Sequence, residues 1–274
     1  MPEPAPEPFW KSLECMNPFQ EPEARTLIAD LRLPEGSRGL DAGCGAGLFA
    51  VWLAEAVGAR GRVVGIEPSA ERADAARELV GRGPVGSRLE FRAGDATKLD
   101  APDASFDWVW CGDVLHHIQE TGRALGEFAR VVRPGGQIVV KKSHLLQGAF
   151  RRGHPAPERR LRQAEMEGSR HEGGEFSFEE RRQRTLASLH AAGLSVESFR
   201  TYLLERRAPL PHAARDYIQH VVFERNWGPR LRDRLSLDDW ARRSALCEAA
   251  SPTFALDDPA YYCLYPISVL VARR

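Results

Sequence analysis

At 274 residues with 43% hydrophobic content, the chain can bury one large α/β core, and its length allows one domain or two small ones. Thirty-eight Lys and Arg balance thirty-eight Asp and Glu, so the sequence lacks the global field with which a protein gathers nucleic acid or anionic membrane. Cys15, Cys44, Cys111, Cys247 and Cys263 are odd in number, scattered and without a CxxC pair, which points to reduced thiols in a cytoplasmic protein and to no metal site.

The opening Pro-Glu-Pro-Ala-Pro-Glu-Pro has neither the basic flank nor the apolar run of a signal peptide, and residues 1–8 are expected to be a disordered lead. No window reaches the roughly 20 apolar residues that a membrane helix needs. Glu21 to Leu31 carries a helical pattern ahead of a first strand that ends at Asp41. Then comes Gly39-Leu40-Asp41-Ala42-Gly43-Cys44-Gly45-Ala46-Gly47, an acid just before a GxGxG turn, with the apolar stretch from Leu48 to Val57 opening a helix behind it. Such glycines permit positive φ and a close approach of backbone to a ligand facing the helix's amide end. A glycine turn by itself is also compatible with an ordinary loop.

Strand two is expected over Arg62–Glu67, strand three over Arg88–Arg92 and strand four over Phe106–Cys111. A helix over Thr121–Val132 leads to the turn Arg133-Pro134-Gly135-Gly136 and a fifth strand over Gln137–Lys142. This alternation is the signature of βαβ units and of a parallel sheet covered on both faces. Beyond strand five the periodicity blurs for about thirty residues, consistent with an insertion holding one short helix. Ser177 and Glu180 form a capping box for a helix to His190, Gly193 stops it, and Ser195–Leu204 alternates as strand six. Residues 206–258 hold helix candidates at Ala213–Phe223 and Asp238–Ala249 before a last strand over Tyr262–Ala272.

Glu67 closes strand two about twenty residues beyond the glycine turn, where an acid can accept from two ribose hydroxyls. Asp95, in Gly94-Asp95-Ala96, follows strand three on the same carboxyl edge of the sheet, where it can meet an adenine amino group. Ligands of open α/β sheets bind outside that edge near the topological switch point, so three turns agree on one nucleoside.

These pieces resemble the class I S-adenosylmethionine-dependent methyltransferases, and in particular the small-molecule branch of the ubiquinone and menaquinone biosynthesis type. The resemblance covers residues 39 to about 143 and rests on Leu40 to Gly47, Gly65-Ile66-Glu67-Pro68-Ser69, Gly94-Asp95-Ala96, Phe106-Asp107 with Asp113-Val114-Leu115-His116-His117-Ile118, and Arg133-Pro134-Gly135-Gly136. It implies a Rossmann-like α/β fold, a seven-stranded, mostly parallel sheet of order 3-2-1-4-5-7-6 whose last strand is antiparallel, with helical lid insertions. It implies S-adenosyl-L-methionine as cofactor and S-adenosyl-L-homocysteine as product. Asp41 would orient the turn and the amino group, Gly43 and Gly45 would pack on the methionine part, and Glu67 beside Pro68 would hold the ribose. Asp95 and Ala96 would frame the adenine, and Cys111 and Gly112 would line the sulfonium side. On this reading the chain divides into a lead and partial cap (1–20), a cofactor-binding core (21–143), an insertion (144–176), a core helix with strand six (177–205), a helical insertion over the active site (206–258) and the last strand (259–274).

Strand one, Ser37-Arg38-Gly39-Leu40, lacks the longer apolar run typical of the family, and the Asn-Pro-Pro-Tyr type motif of enzymes acting on nucleobase amines is absent after strand four. For the chemistry, His116 and His117 are candidate bases toward a phenol or hydroxyl acceptor, with helix capping or cofactor contact as the rival reading. Asp113 shares that ambiguity. His144 reads as a turn residue, and Tyr261 and Tyr262 as an aromatic wall or core packing. Arg151, Arg152, Arg159, Arg160 and Arg162 could grip a phosphate or carboxylate, but the interspersed Glu158, Glu165 and Glu167 favour a solvated face with internal pairing.

The expected activity is methyl transfer to a small organic acceptor such as a secondary metabolite or quinone-type intermediate, with no nucleic-acid or membrane partner. The rivals are a catalytically silent cofactor-binding scaffold, an RNA methyltransferase disfavoured by zero net charge, and a nicotinamide dehydrogenase, whose fingerprint is GxGxxG.

Overall fold

The structure, a computed structural model, describes residues 9–144, 148–151, 153–168 and 178–274. The expected lead at 1–8, Arg152, and Ser177 of the expected capping box lie outside the described residues. The elements run α1 (Phe9–Asp30), β1 (Arg38–Ala42), α2 (Leu48–Ala56), β2 (Arg62–Glu67), α3 (Ala70–Gly81), β3 (Leu89–Ala93), β4 (Phe106–Gly112), α4 (Thr121–Val131) and β5 (Val132–Ser143). After these come α5 (Pro155–Gly168), α6 (Phe178–Ala191), β6 (Ser195–Arg207), α7 (His212–Asp216), α8 (Leu237–Cys247) and β7 (Tyr262–Arg273).

The seven strands form one sheet of order β3-β2-β1-β4-β5-β7-β6. β3, β2, β1, β4 and β5 pair in parallel, and β7 runs antiparallel to β5, as expected. β1 is an interior strand paired on both sides, by β2 and β4, and its stretch Gly39 to Ala42 is buried. α4 shows why the helices cover the sheet: Ala124, Leu125, Phe128 and Val131 recur on one face of a helix and all are buried against it.

Two compact units are distinguished by their internal contacts. The first comprises residues 22–143, 179–202 and 267–274. Its core joins Leu40, Val64, Val109, Phe128, Ile138, Leu189 and Leu270 from the parallel strands, α4, α6 and β7. The other comprises residues 1–21, 144–178 and 203–266. Its core is aromatic: Phe19 stacks on Tyr217 at 4.3 Å, Phe223 stacks on Trp227 at 5.8 Å, and Phe150 meets Trp227 edge-on at 6.2 Å.

Several boundaries differ from the sequence expectation. α1 begins at Phe9 rather than Glu21 and runs through Pro18 and Pro22; tertiary packing such as the Phe19–Tyr217 stack outweighs the local cost of the prolines. The expected Arg133–Gly136 turn is a bulge inside β5, since β4 partners step from Phe106↔Val132 to Trp108↔Gln137. The expected Ala213–Phe223 helix is two pieces, with α7 passing at Tyr217 into a wider helix to Asn226 whose hydrogen bonds span one residue more.

The arginine-rich segment departs furthest from expectation. Arg151, Glu158 and Glu165 are buried while Arg159 is exposed and Arg162 lies 3.7 Å from Glu158, so only part of this segment is the solvated, internally paired face expected. Arg160 pairs with Asp239 at 2.6 Å, and Glu165 accepts from the Trp227 indole at 3.0 Å. Tyr261 is buried with its hydroxyl donating to the Phe150 carbonyl at 2.7 Å, and the Tyr262 hydroxyl donates to Glu205.

Candidate functional site

Parallel pairing brings the loops of four strands to one edge of the sheet. Asp41 is in register with Gly65 and Trp110, and Glu67 with Ala93, so the ends of β1, β2, β3 and β4 stand level. The glycine turn folds across the end of β2: the Gly43 and Cys44 amides both donate to the Ile66 carbonyl, at 2.8 and 3.0 Å. Gly43 has φ of 80°, and a Cβ there would lie 2.3 Å from Val114, so the turn closes only around glycine. Gly47, also at φ 80°, begins α2 with no side-chain cap on the first amides, which leaves the helix's positive end open.

The acids around this turn are in different states. Asp41 is 1% exposed, and its Oδ2 is buried with no hydrogen-bond partner among the described residues. Burial, with the neighbouring charge of Glu67 second, pushes the Asp41 carboxyl up to about 8. Glu67 is also buried but held loosely: Oε2 accepts from the Gly45 amide at 3.3 Å and Oε1 from Arg72 at 3.4 Å. Asp95 is exposed and uses Oδ1 twice, from the Thr97 amide and hydroxyl at 2.8 Å each, which holds its carboxyl below the usual range. Ala96 is buried beside it, Pro68 is exposed, and Cys111 at the end of β4 is buried with its thiol pushed up by desolvation and then by Asp41.

His116 and His117 occupy the short helical turn Leu115–His117 after β4. Both are exposed, and their rings lie 3.9 Å apart at 44°. Asp113 is committed elsewhere. It accepts from the Ser143 amide, from the Ser143 hydroxyl at 2.9 Å and from the Lys141 ammonium. Burial opposes its charge, but Lys141 and these bonds outweigh burial and keep the carboxyl below the usual range. Asp113 therefore ties β4 to β5. Lys141, whose side chain is fully buried and lies 5.2 Å from the Phe49 ring, was not singled out from sequence. The available signal was the lysine pair Lys141-Lys142 directly continuing the apolar run Ile138-Val139-Val140.

The residues present fit an adenosyl ligand with an amino-acid tail. Asp41 offers an orphaned carboxyl oxygen, Gly43 and Gly45 take positive φ in the turn, and Glu67 has long bonds that can be exchanged. Asp95 keeps Oδ2 free of protein partners among the described residues. Among the described residues no group of three or more His, Cys, Asp or Glu could hold a metal ion, and no helix is long and apolar enough to cross a membrane.

This seven-stranded sheet with helices around it is a Rossmann-like fold, the fold seen in solved methyltransferase structures. Residues 40–140 match the family described as a methyltransferase domain. The chain is 37% identical over 123 residues to the 27-O-demethylrifamycin SV methyltransferase of Amycolatopsis mediterranei, covering 43% of this chain and 44% of that protein. It is 35% identical over 109 residues to the demethylmenaquinone methyltransferase of Bacillus licheniformis, covering 40% and 46%. The chain thus spans about half the length of the curated relatives it matches. Among solved structures, the cyclase SpnF superposes with a TM-score of 0.55 at 22% identity, covering 92% of this chain and 80% of that one, a likeness of fold alone.

Proposed function

We propose that the protein transfers a methyl group from S-adenosylmethionine to a small organic acceptor. The observation that carries this reading is the alignment of Asp41, Glu67 and Asp95 on one sheet edge around a glycine turn. When bound, the cofactor supplies a methyl group activated by a sulfonium, open to in-line displacement. Asp41 Oδ2 receives the amino group, whose positive charge relieves the carboxylate of its isolation. Glu67 exchanges its long bonds to Gly45 and Arg72 for the two ribose hydroxyls. Asp95 accepts from the adenine amino group, with Ala96 and Pro68 against the ring system. Cys111 and Gly112 form the wall beside the reacting carbon.

Acceleration comes chiefly from holding the acceptor in line with that carbon and from excluding water, because the displacement neutralises charge when the nucleophile is anionic. The exposed His116–His117 pair takes the proton that the acceptor gives up and passes it to solvent. Matches to rifamycin-type and menaquinone-type enzymes support an acceptor of phenolic, hydroxyl or quinone character. The groups that select it are assigned to the chain outside residues 40–140, the stretch that matches the methyltransferase-domain family.

The test is to incubate the enzyme and methyl-labelled cofactor with small-molecule extract and to find the labelled product by mass spectrometry, alongside calorimetry with S-adenosylhomocysteine and NAD. Labelled product and binding of S-adenosylhomocysteine alone are expected. Binding of NAD instead would overturn the cofactor assignment, and tight S-adenosylhomocysteine binding with no labelled product from any extract would favour the silent module.

A further inference from the structure

Arg151 is 1% exposed, and its Nε, Nη1 and Nη2 are all shut off from solvent with no hydrogen-bond acceptor among the described residues. A guanidinium in that position has lost its hydration and regained nothing, a state that folded interiors rarely leave unanswered. The chain nevertheless holds it in place. The buried Glu158 carboxylate, in the first turn of α5, accepts the Phe150 amide at 2.8 Å and the Arg151 amide at 3.1 Å. Tyr261 fixes the same stretch through the Phe150 carbonyl at 2.7 Å.

The local charge is unbalanced. Arg243, 4% exposed, is a second buried guanidinium acting on Arg151, and it is already engaged by the Trp227 carbonyl at 2.7 Å, by the Phe223 carbonyl and by Glu248 at 2.9 Å. Glu158 is the buried carboxylate acting on Arg151, and its oxygens are taken by the two amides, with Arg162 3.7 Å away. Cys247 and Tyr261, the other groups that act on Arg151, are buried and neutral, since desolvation holds their protons on.

We propose that Arg151 anchors a binding site for an organic carboxylate, held through the guanidinium fork within the unit formed by residues 1–21, 144–178 and 203–266. A planar pair of oxygens matches the fork. The one guanidinium here without an acceptor among the described residues answers one negative charge, whereas a phosphate dianion would carry a larger desolvation cost for the same partner. Phe150, packed against Trp227 at 6.2 Å and Tyr265 at 6.0 Å, belongs to an aromatic surround that suits a ligand with an apolar body. The site stands independently of the methyl-transfer reading.

Benzoate serves as the probe, with benzamide as its neutral isostere and inorganic phosphate as the competing anion, each titrated calorimetrically into the full chain. Benzoate is expected to bind saturably, benzamide not at all, and benzoate to slow hydrogen exchange at the Phe150 and Arg151 amides. Arg151→Lys, which keeps the charge and loses the fork, should weaken benzoate by about tenfold, and Arg151→Met by more. If Arg151→Met does not fold, the lysine variant and the wild-type exchange pattern decide. Absence of saturable benzoate binding, or equal binding by wild type and Arg151→Lys, overturns the site and assigns the buried guanidinium to water. Phosphate binding more tightly than benzoate overturns the carboxylate assignment.

Discussion

Gly39 and Trp108 are register partners on β1 and β4, and the indole fills the volume that a side chain at position 39 would need. A Cβ there would lie 2.1 Å from the ring, while the indole nitrogen donates to the Ser37 hydroxyl at 2.9 Å. The small residues that make strand one look weak as a sequence are therefore what lets a tryptophan pack at the centre of the sheet.

Gly39→Ala should cost about 1–3 kcal/mol through overpacking, measured by urea unfolding. Combining it with Trp108→Leu should recover part of that loss relative to the sum of the single changes. Strict additivity of the two would mean that the contact is not the cause.

Asp41 supplies a pH test. Its folded-state value of about 8 lies above the ordinary 3.8, so the native state keeps a proton that the unfolded chain has already released. That contribution is complete below pH ~4 and is lost as pH rises toward ~8, at about 1.4 kcal/mol per pH unit over the window. Asp41→Asn should flatten this slope in the ligand-free protein and weaken S-adenosylhomocysteine. Parallel stability curves for wild type and variant would contradict the buried acid.

Replacing Glu67 by Ala should weaken S-adenosylhomocysteine by about 2 kcal/mol, or roughly thirtyfold, through lost charge-assisted hydrogen bonds. Calorimetry reads this directly, and unchanged affinity would remove Glu67 from the ribose.

Asp113→Asn and Lys141→Met each break a buried pair and should cost about 3–5 kcal/mol, because each leaves a charged or polar group without its partner. The double variant should be more stable than the two costs combined would allow, as seen in denaturant midpoints. An Asp113 that served as a base instead would cost turnover with little change in midpoint.

His116→Ala and His117→Ala should together lower kcat about a hundredfold and remove a limb of the pH–rate profile. A profile and rate untouched by both changes would take the pair out of proton transfer.

How much of this could be read from residues alone varies along the chain. Turns with special backbone needs are legible because few residues satisfy them: β2 spans Arg62–Glu67 as expected, and Gly43 and Gly47 do adopt positive φ. The extension of α1 to Phe9 and the widened helix at Tyr217 were not legible, since local proline and periodicity signals lost to aromatic packing between residues almost two hundred positions apart. The charge pattern from Arg151 to Glu167 was legible only in part for a related reason: alternating sign describes a solvated face only where nothing covers it, and Arg151, Glu158 and Glu165 are buried.

The sequence by itself determined the order of turns and strands, because glycines at strand ends follow from local backbone geometry, and its resemblance to a known family implied the sheet order that the structure shows. Only the tertiary structure decided which charges are buried. Among the described residues, Asp41 with an unanswered oxygen, Asp113 bound to Lys141, and Arg151 with no acceptor differ in burial and partners, which depend on residues distant in the chain, and no spacing rule encodes those.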